Sequence, residues 1–296
     1  MVDTVDNERH TQQASVDPML LDIRDLTDRR DEYAAELRRR WGGLLSYRYI
    51  GRQYDSMDPR DVDSTVKLRH DMRNSSGGLL FAVLGISAPE SGHMSDLEAV
   101  PNPVIHSCQI IDPGHDVARI EIISEELKRG RQMGYSRARI VDADRPERTL
   151  ALIEGQGVAI GVPPEGLEKM EVDSIEVVDS PDLPPLWQVF GGSKRDNHWV
   201  LPELTEHVAS PDAALHIGPQ FVILEAAAVD AAAGNVQGVS AHVMFLARGK
   251  AGPFRAETEA LRGADDTVAV RVLLHDEGNG DKVITSASYV FRKVHA

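Results

Sequence analysis

His216-Ile217-Gly218-Pro219-Gln220-Phe221-Val222-Ile223-Leu224-Glu225-Ala226-Ala227-Ala228-Val229-Asp230 is the stretch on which the fold turns. It predicts a helix over 218–233, opened by Pro219 in the first turn and closed by Gly234-Asn235. The run is apolar around its circumference rather than along one stripe, which suits a helix enclosed by a sheet. One acid, Glu225, stands in the middle of it. Desolvation disfavours its charged form, so this carboxylate needs either a partner or a task. Asp230, five positions on, falls on another face and reads as solvated or interfacial.

After this helix, alternation and β-branched residues predict strands at 239–246, 254–261, 268–275 and 283–290, joined by turns such as Gly278-Asn279-Gly280. The same order occurs earlier in the chain. Gly77-Gly78-Leu79-Leu80-Phe81-Ala82-Val83-Leu84-Gly85-Ile86 predicts a first buried helix ending near Pro89, followed by strands at 104–111, 117–125, 134–142 and 150–160. Further strands are predicted at 46–50, 62–69 and 186–190, and a helix from Asp17-Pro18 to Arg40. Gly77-Gly78-Leu79-Leu80-Phe81 lies over Ile217-Gly218-Pro219-Gln220-Phe221, and Leu127-Lys128-Arg129-Gly130 near Ala260-Leu261-Arg262-Gly263. The sequence therefore reads as a duplication. Its parts are a flexible tail at 1–16, a first unit at 17–160, an acidic proline-rich linker at 161–185 and a second unit at 186–296.

Composition narrows the function classes. The formal net charge of -15 repels phosphate backbones, which argues against nucleic-acid binding. The longest apolar runs fall short of the ~20 residues of a membrane span. The polar, acidic start lacks the pattern of a signal peptide, and the single Cys108 allows no internal disulfide, so a cytoplasmic location is expected. No Cys/His cluster has the spacing of a structural zinc site, and no metal is expected.

His216-x-Gly218, with Glu225 nine residues after the histidine, resembles the His-Gly-Gly and helix-borne carboxylate pattern of hotdog-fold acyl-CoA thioesterases. The segment from Phe245 to Pro253, Leu261-Arg262-Gly263 and the Asp276-Glu277-Gly278 turn resemble that family's later segments. The resemblance spans roughly 65–165 and 186–296. It implies an α+β protein of two fused hotdog domains, each an antiparallel sheet wrapped around a central apolar helix. Ile217 replaces the first glycine of the pattern, and in the first half Ser76 takes the histidine position and Gly85 the carboxylate position. The first half then carries a degenerate site and the second the candidate active site.

The activity implied is hydrolysis of an acyl thioester. Glu225 would attack the carbonyl or deprotonate a water, and backbone N–H groups near Gly218 would form an oxyanion hole, with His216 orienting the turn or the substrate carbonyl. Coenzyme A enters as part of the substrate and no other cofactor is expected; an acyl carrier protein is the other possible carrier. Arg248, Lys250 and Arg255 are candidates for its phosphates, and Asn74 and Ser76 for polar contacts across the interface of the halves. Two other readings stay open: a hotdog dehydratase or hydratase acting on β-hydroxyacyl thioesters, and a non-catalytic acyl-CoA binding protein. The two halves are expected to pair within the chain, and further homo-oligomerisation is possible.

Overall fold

The computed structural model describes residues 20–51, 65–89, 99–168 and 175–295. The tail at 1–16, the Asp17-Pro18 helix start and residues 169–174 of the linker lie outside the described residues. A 3-10 turn, Ile23–Leu26, precedes helix α1 (Arg30–Gly43) and the single turn α2 (Leu45–Arg48). The first half continues with β1 (Thr65–Lys67), α3 (Phe81–Ser87) and a meander of β2 (Val100–Ile110), β3 (Arg119–Arg129), β4 (Met133–Asp142) and β5 (Arg145–Gly161). The second half opens with α4 (Leu186–Val189), β6 (Ser193–Arg195), β7 (His198–Leu201) and the short pair β8 (Ala209–Ser210) and β9 (Ala214–Leu215). It closes with α5 (Ile217–Ala232) and the strands β10 (Val236–Phe245), β11 (Phe254–Arg262), β12 (Thr267–Asp276) and β13 (Lys282–Lys293).

Eleven of these strands form one sheet in the order β1-β3-β4-β5-β2-β10-β13-β12-β11-β7-β6. Leaving out the edge strand β6, the order reads the same from either end, with β2 and β10 as the central pair. Those two strands run antiparallel, with His242 opposite Ser107 and the Ser107 hydroxyl 2.8 Å from His242 Nδ1. Inside the curl of the sheet lie α3 and α5. They pack antiparallel, because Phe81 and Ala82 at the start of α3 meet Glu225, while a Cβ on Gly85, farther along, would sit 3.0 Å from the Phe221 ring. One hydrophobic cluster takes in both helices and strands of both halves.

The meander strands and α5 form where the alternation and the apolar run predict them. Two short segments differ: 46–50 is largely the helical turn α2, and 186–190 is the turn α4 with its C-cap, where strands are predicted. Both are short apolar runs, whose periodicity does not separate a strand from a buried helical turn. The N-terminal helix is broken after Leu26 and restarts at Arg30.

The register between the halves also differs. α3 starts at 81 and α5 at 217, β2 at 100 and β10 at 236, an interval of 136 in both cases. Leu80 and His216 are the N-cap residues of their helices, so Leu80, not Ser76, stands in the histidine's place. The counterpart of Glu225 is then Pro89, beyond the end of α3, and the counterpart of Phe221 is Gly85.

Candidate active site

The Glu225 side chain is held at the middle of α5 with only 4% of the residue exposed. Its Oε1 accepts a hydrogen bond from the Phe81 N–H at 3.0 Å and its Oε2 one from the Ala82 N–H at 2.7 Å. These are among the N–H groups that the first turn of α3 leaves without intrahelical partners. Burial pushes the Glu225 carboxyl up to about 7, against the opposing pull of the Ala82 and Phe81 amides. An acid poised near neutrality between two fixed donors can exchange a proton at ordinary pH.

Glu225 also borders a cavity of about 440 Å³. One wall is the face of α5 that carries Val222, Ala226 and Val229; Leu80 and Ala82 form another, and the last residues of the linker with Trp187 and Trp199 form a third. The loop before α3 is fixed by Asn74, whose Oδ1 accepts from the Ser76 and Gly78 N–H groups, both at 3.0 Å, and lies 2.6 Å from the Ser76 hydroxyl. The Ser75 hydroxyl crosses to Asn235 Oδ1 at 2.8 Å, and the Ser76 hydroxyl lies 2.8 Å from Gln237 Oε1. The loop that aims the two amides is thereby tied to the second half.

Of the residues read from the sequence, the structure brings Glu225 and Asn74 to this cavity, with Ser76 supporting it from behind. His216 and Gly218 belong to the other end of α5. There His216 Nδ1 lies 2.9 Å from the Ser46 hydroxyl and Nε2 3.3 Å from the Tyr47 hydroxyl, and Nδ1 also accepts the Gly218 N–H at 3.3 Å. Burial, reinforced by the positive Arg248, depresses the His216 imidazole to about 3, so it is neutral. Ser46 fills the space beside Gly218, where any Cβ would overlap its hydroxyl. The donors facing Glu225 are therefore those of α3 and not those at Gly218, because antiparallel packing sets the start of α3 against the middle of α5 and the start of α5 beside Ile86 near the end of α3.

The expected phosphate contacts are also elsewhere. Arg248 bonds to Asp212 at 2.7 Å, Ser210 at 2.7 Å and Asn102 at 2.6 Å, and Lys250 to the Asp212 carbonyl at 2.5 Å. Arg255 is paired with Glu277 at 2.9 Å and Asp281 at 3.1 Å. Instead the cavity rim carries groups that the sequence reading missed. His70 donates its backbone N–H to Asp179 at 2.8 Å, with Nδ1 at 2.9 Å from the same oxygen; Asp71 pairs with Arg69 at 3.0 Å. Asp230, read as solvated or interfacial, is exposed at the same rim and accepts from Lys194 at 2.8 Å and Trp199 Nε1 at 3.3 Å. Arg-His-Asp at 69–71, just ahead of the first apolar helix, was the available signal for part of this rim.

No family model matches the sequence. No curated protein matches it either. Solved structures do. The tesB protein of Mycobacterium avium subspecies paratuberculosis aligns with a TM-score of 0.55 at 10% identity, over 79% of this chain and 94% of its own. The 12:0-ACP thioesterase of Umbellularia californica aligns with a TM-score of 0.53 at 11% identity, over 77% and 92%. The acyl-CoA thioesterase II of Mycobacterium marinum aligns with a TM-score of 0.50 at 10% identity, over 79% and 94%. At these identities the likeness is one of architecture: the chain has the hotdog fold of these thioesterase structures.

Proposed function

We propose that the chain is a pair of fused hotdog units that hydrolyses an acyl thioester, with Glu225 as the proton-transfer group. The observation that carries this reading is a buried carboxylate lining a mainly apolar cavity and converging with two backbone N–H groups from the other half. On substrate entry the thioester carbonyl oxygen takes over one of the two amides from Glu225, which keeps the other. The carboxylate removes a proton from water, and the hydroxide adds to the carbonyl carbon. The freed N–H donates to the oxyanion that forms. Collapse of the intermediate breaks the C–S bond, and the leaving thiolate takes the proton from Glu225, giving a carboxylic acid and a free thiol.

His216 sits away from this cavity, so a dehydratase chemistry that pairs His216 with Glu225 lacks its histidine, and His70, at the cavity rim, has its Nδ1 on Asp179. A binding-only reading is favoured by one observation, that Phe81 and Ala82 already satisfy both carboxylate oxygens. A thiol-release assay over a panel of acyl-coenzyme A esters separates the two. Turnover by the wild type that falls at least about 100-fold in Glu225→Gln, in line with loss of general base catalysis, supports hydrolysis. Equal rates in both proteins remove Glu225 from the chemistry, and no turnover in either leaves a binding protein.

A further inference from the structure

The cavity beside Glu225 has an inner and an outer end, told apart by exposure. At the inner end Val222 and Leu186 are each 3% exposed. At the outer end the Asp230 side chain is 44% exposed and that of His70 60%. The residues of α5 that line the cavity run from Val222 to Asp230. At 1.5 Å of rise per residue, that leaves about 4.5 Å of helix from Glu225 to the inner end and about 7.5 Å to the outer. Toward the α5 N-terminus the ground is occupied, since Phe221 packs on Gly85 and Ser46 on Gly218. The carrier of a thioester must reach solvent and so leaves past Asp230 and Trp199. Its acyl group is then confined between Glu225 and Val222.

On the reading of this site as a thioester hydrolase, we infer that its substrates are short-chain acyl thioesters, with Val222 as the residue that sets the length limit. With C–C bonds of about 1.5 Å, the inner end takes roughly three to four carbons. The apolar side chains there fit an unsubstituted alkyl group, and the well-packed helix pair behind Val222 resists lengthening, because close-packed cores do not open for an extra methylene without strain. The linker residues Leu183 and Pro185 line the side of the cavity.

The test is kcat/KM for acetyl-, butyryl-, hexanoyl- and octanoyl-coenzyme A with the wild type, Val222→Ala and Val222→Phe. The expected wild-type profile is highest at four carbons or fewer and at least about 10-fold lower at eight, the size of discrimination an apolar pocket exerts. Val222→Ala raises the octanoyl-to-butyryl ratio at least about 5-fold and Val222→Phe lowers the butyryl-to-acetyl ratio. Ratios within one variant do not depend on how much of it is folded. Octanoyl turnover equal to or better than butyryl in the wild type, or variants that leave the profile in place, overturns the inference. If no ester is hydrolysed by the wild type, the hydrolase reading itself fails. Length selection is then read from dissociation constants of butyryl- and octanoyl-coenzyme A for Glu225→Gln, followed by tryptophan fluorescence. Tighter butyryl binding keeps the inference, and equal or tighter octanoyl binding overturns it.

Discussion

Glu225 couples ionisation to folding in a direction that follows from its surroundings. Its carboxyl titrates near 7 when folded, against about 4.5 for the ordinary glutamate, so the folded chain holds this proton more tightly than the unfolded one. The resulting stabilisation is complete below about pH 4.5 and is lost as pH rises through about 7, roughly 3 kcal/mol at 1.36 kcal/mol per unit. Glu225→Gln has no such titration. Urea unfolding at pH 4.5 and pH 8 should show the wild type losing about 3 kcal/mol relative to this variant over that interval; parallel behaviour of the two proteins contradicts the raised value. His216, neutral and enclosed by Ser46 and Tyr47, is a packing and capping residue by the same reasoning.

At the scale of elements, the 74–78 loop and α3 decide where the amides point. Asn74→Ala removes one acceptor from three donors, and leaving such groups unpaired should cost about 1–3 kcal/mol in urea unfolding. Asn74→Asp keeps the acceptor and is expected to remain within about 1 kcal/mol of the wild type. If both variants are equally destabilised, the loop is held by something other than Asn74 Oδ1. This loop also marks how far the sequence could be read. The meander strands and α5 were legible because their periods are carried by many residues, and Glu225 because an acid inside an apolar helix is conspicuous; the short strands β6 to β9 were not. The pairing of Glu225 with Phe81 and Ala82 was not legible. Local likeness of Gly77-Gly78-Leu79-Leu80-Phe81 to 217–221 sets the halves 140 residues apart, whereas the starts of α3 and α5, and of β2 and β10, lie 136 apart. That slip of four residues, one helical turn, put Ser76 and Gly85 where Leu80 and Pro89 stand, and so hid which amides of the first half face Glu225. The Arg248 and Lys250 pairing with Asp212 and the wall formed by Pro181 and Leu183 depend on long-range packing that no local pattern encodes.

At the scale of the whole molecule, neither half owns the site: α5 supplies the acid and α3 the donors, and the antiparallel β2–β10 pair holds the two in register. Because one hydrophobic cluster joins the halves, unfolding should be a single transition, coincident by tryptophan fluorescence and far-ultraviolet circular dichroism; two separated transitions would show that the halves fold independently. The central claim is that Glu225, between the Phe81 and Ala82 amides, transfers the proton in thioester hydrolysis. The most direct measurement is kcat for butyryl-coenzyme A against pH. It should rise with a slope of one on a logarithmic plot to a plateau, with a midpoint near 7, and Glu225→Gln should lack both the rise and the plateau rate. A wild-type profile flat from pH 5 to 9, or a Glu225→Gln profile superimposable on it, would contradict the claim.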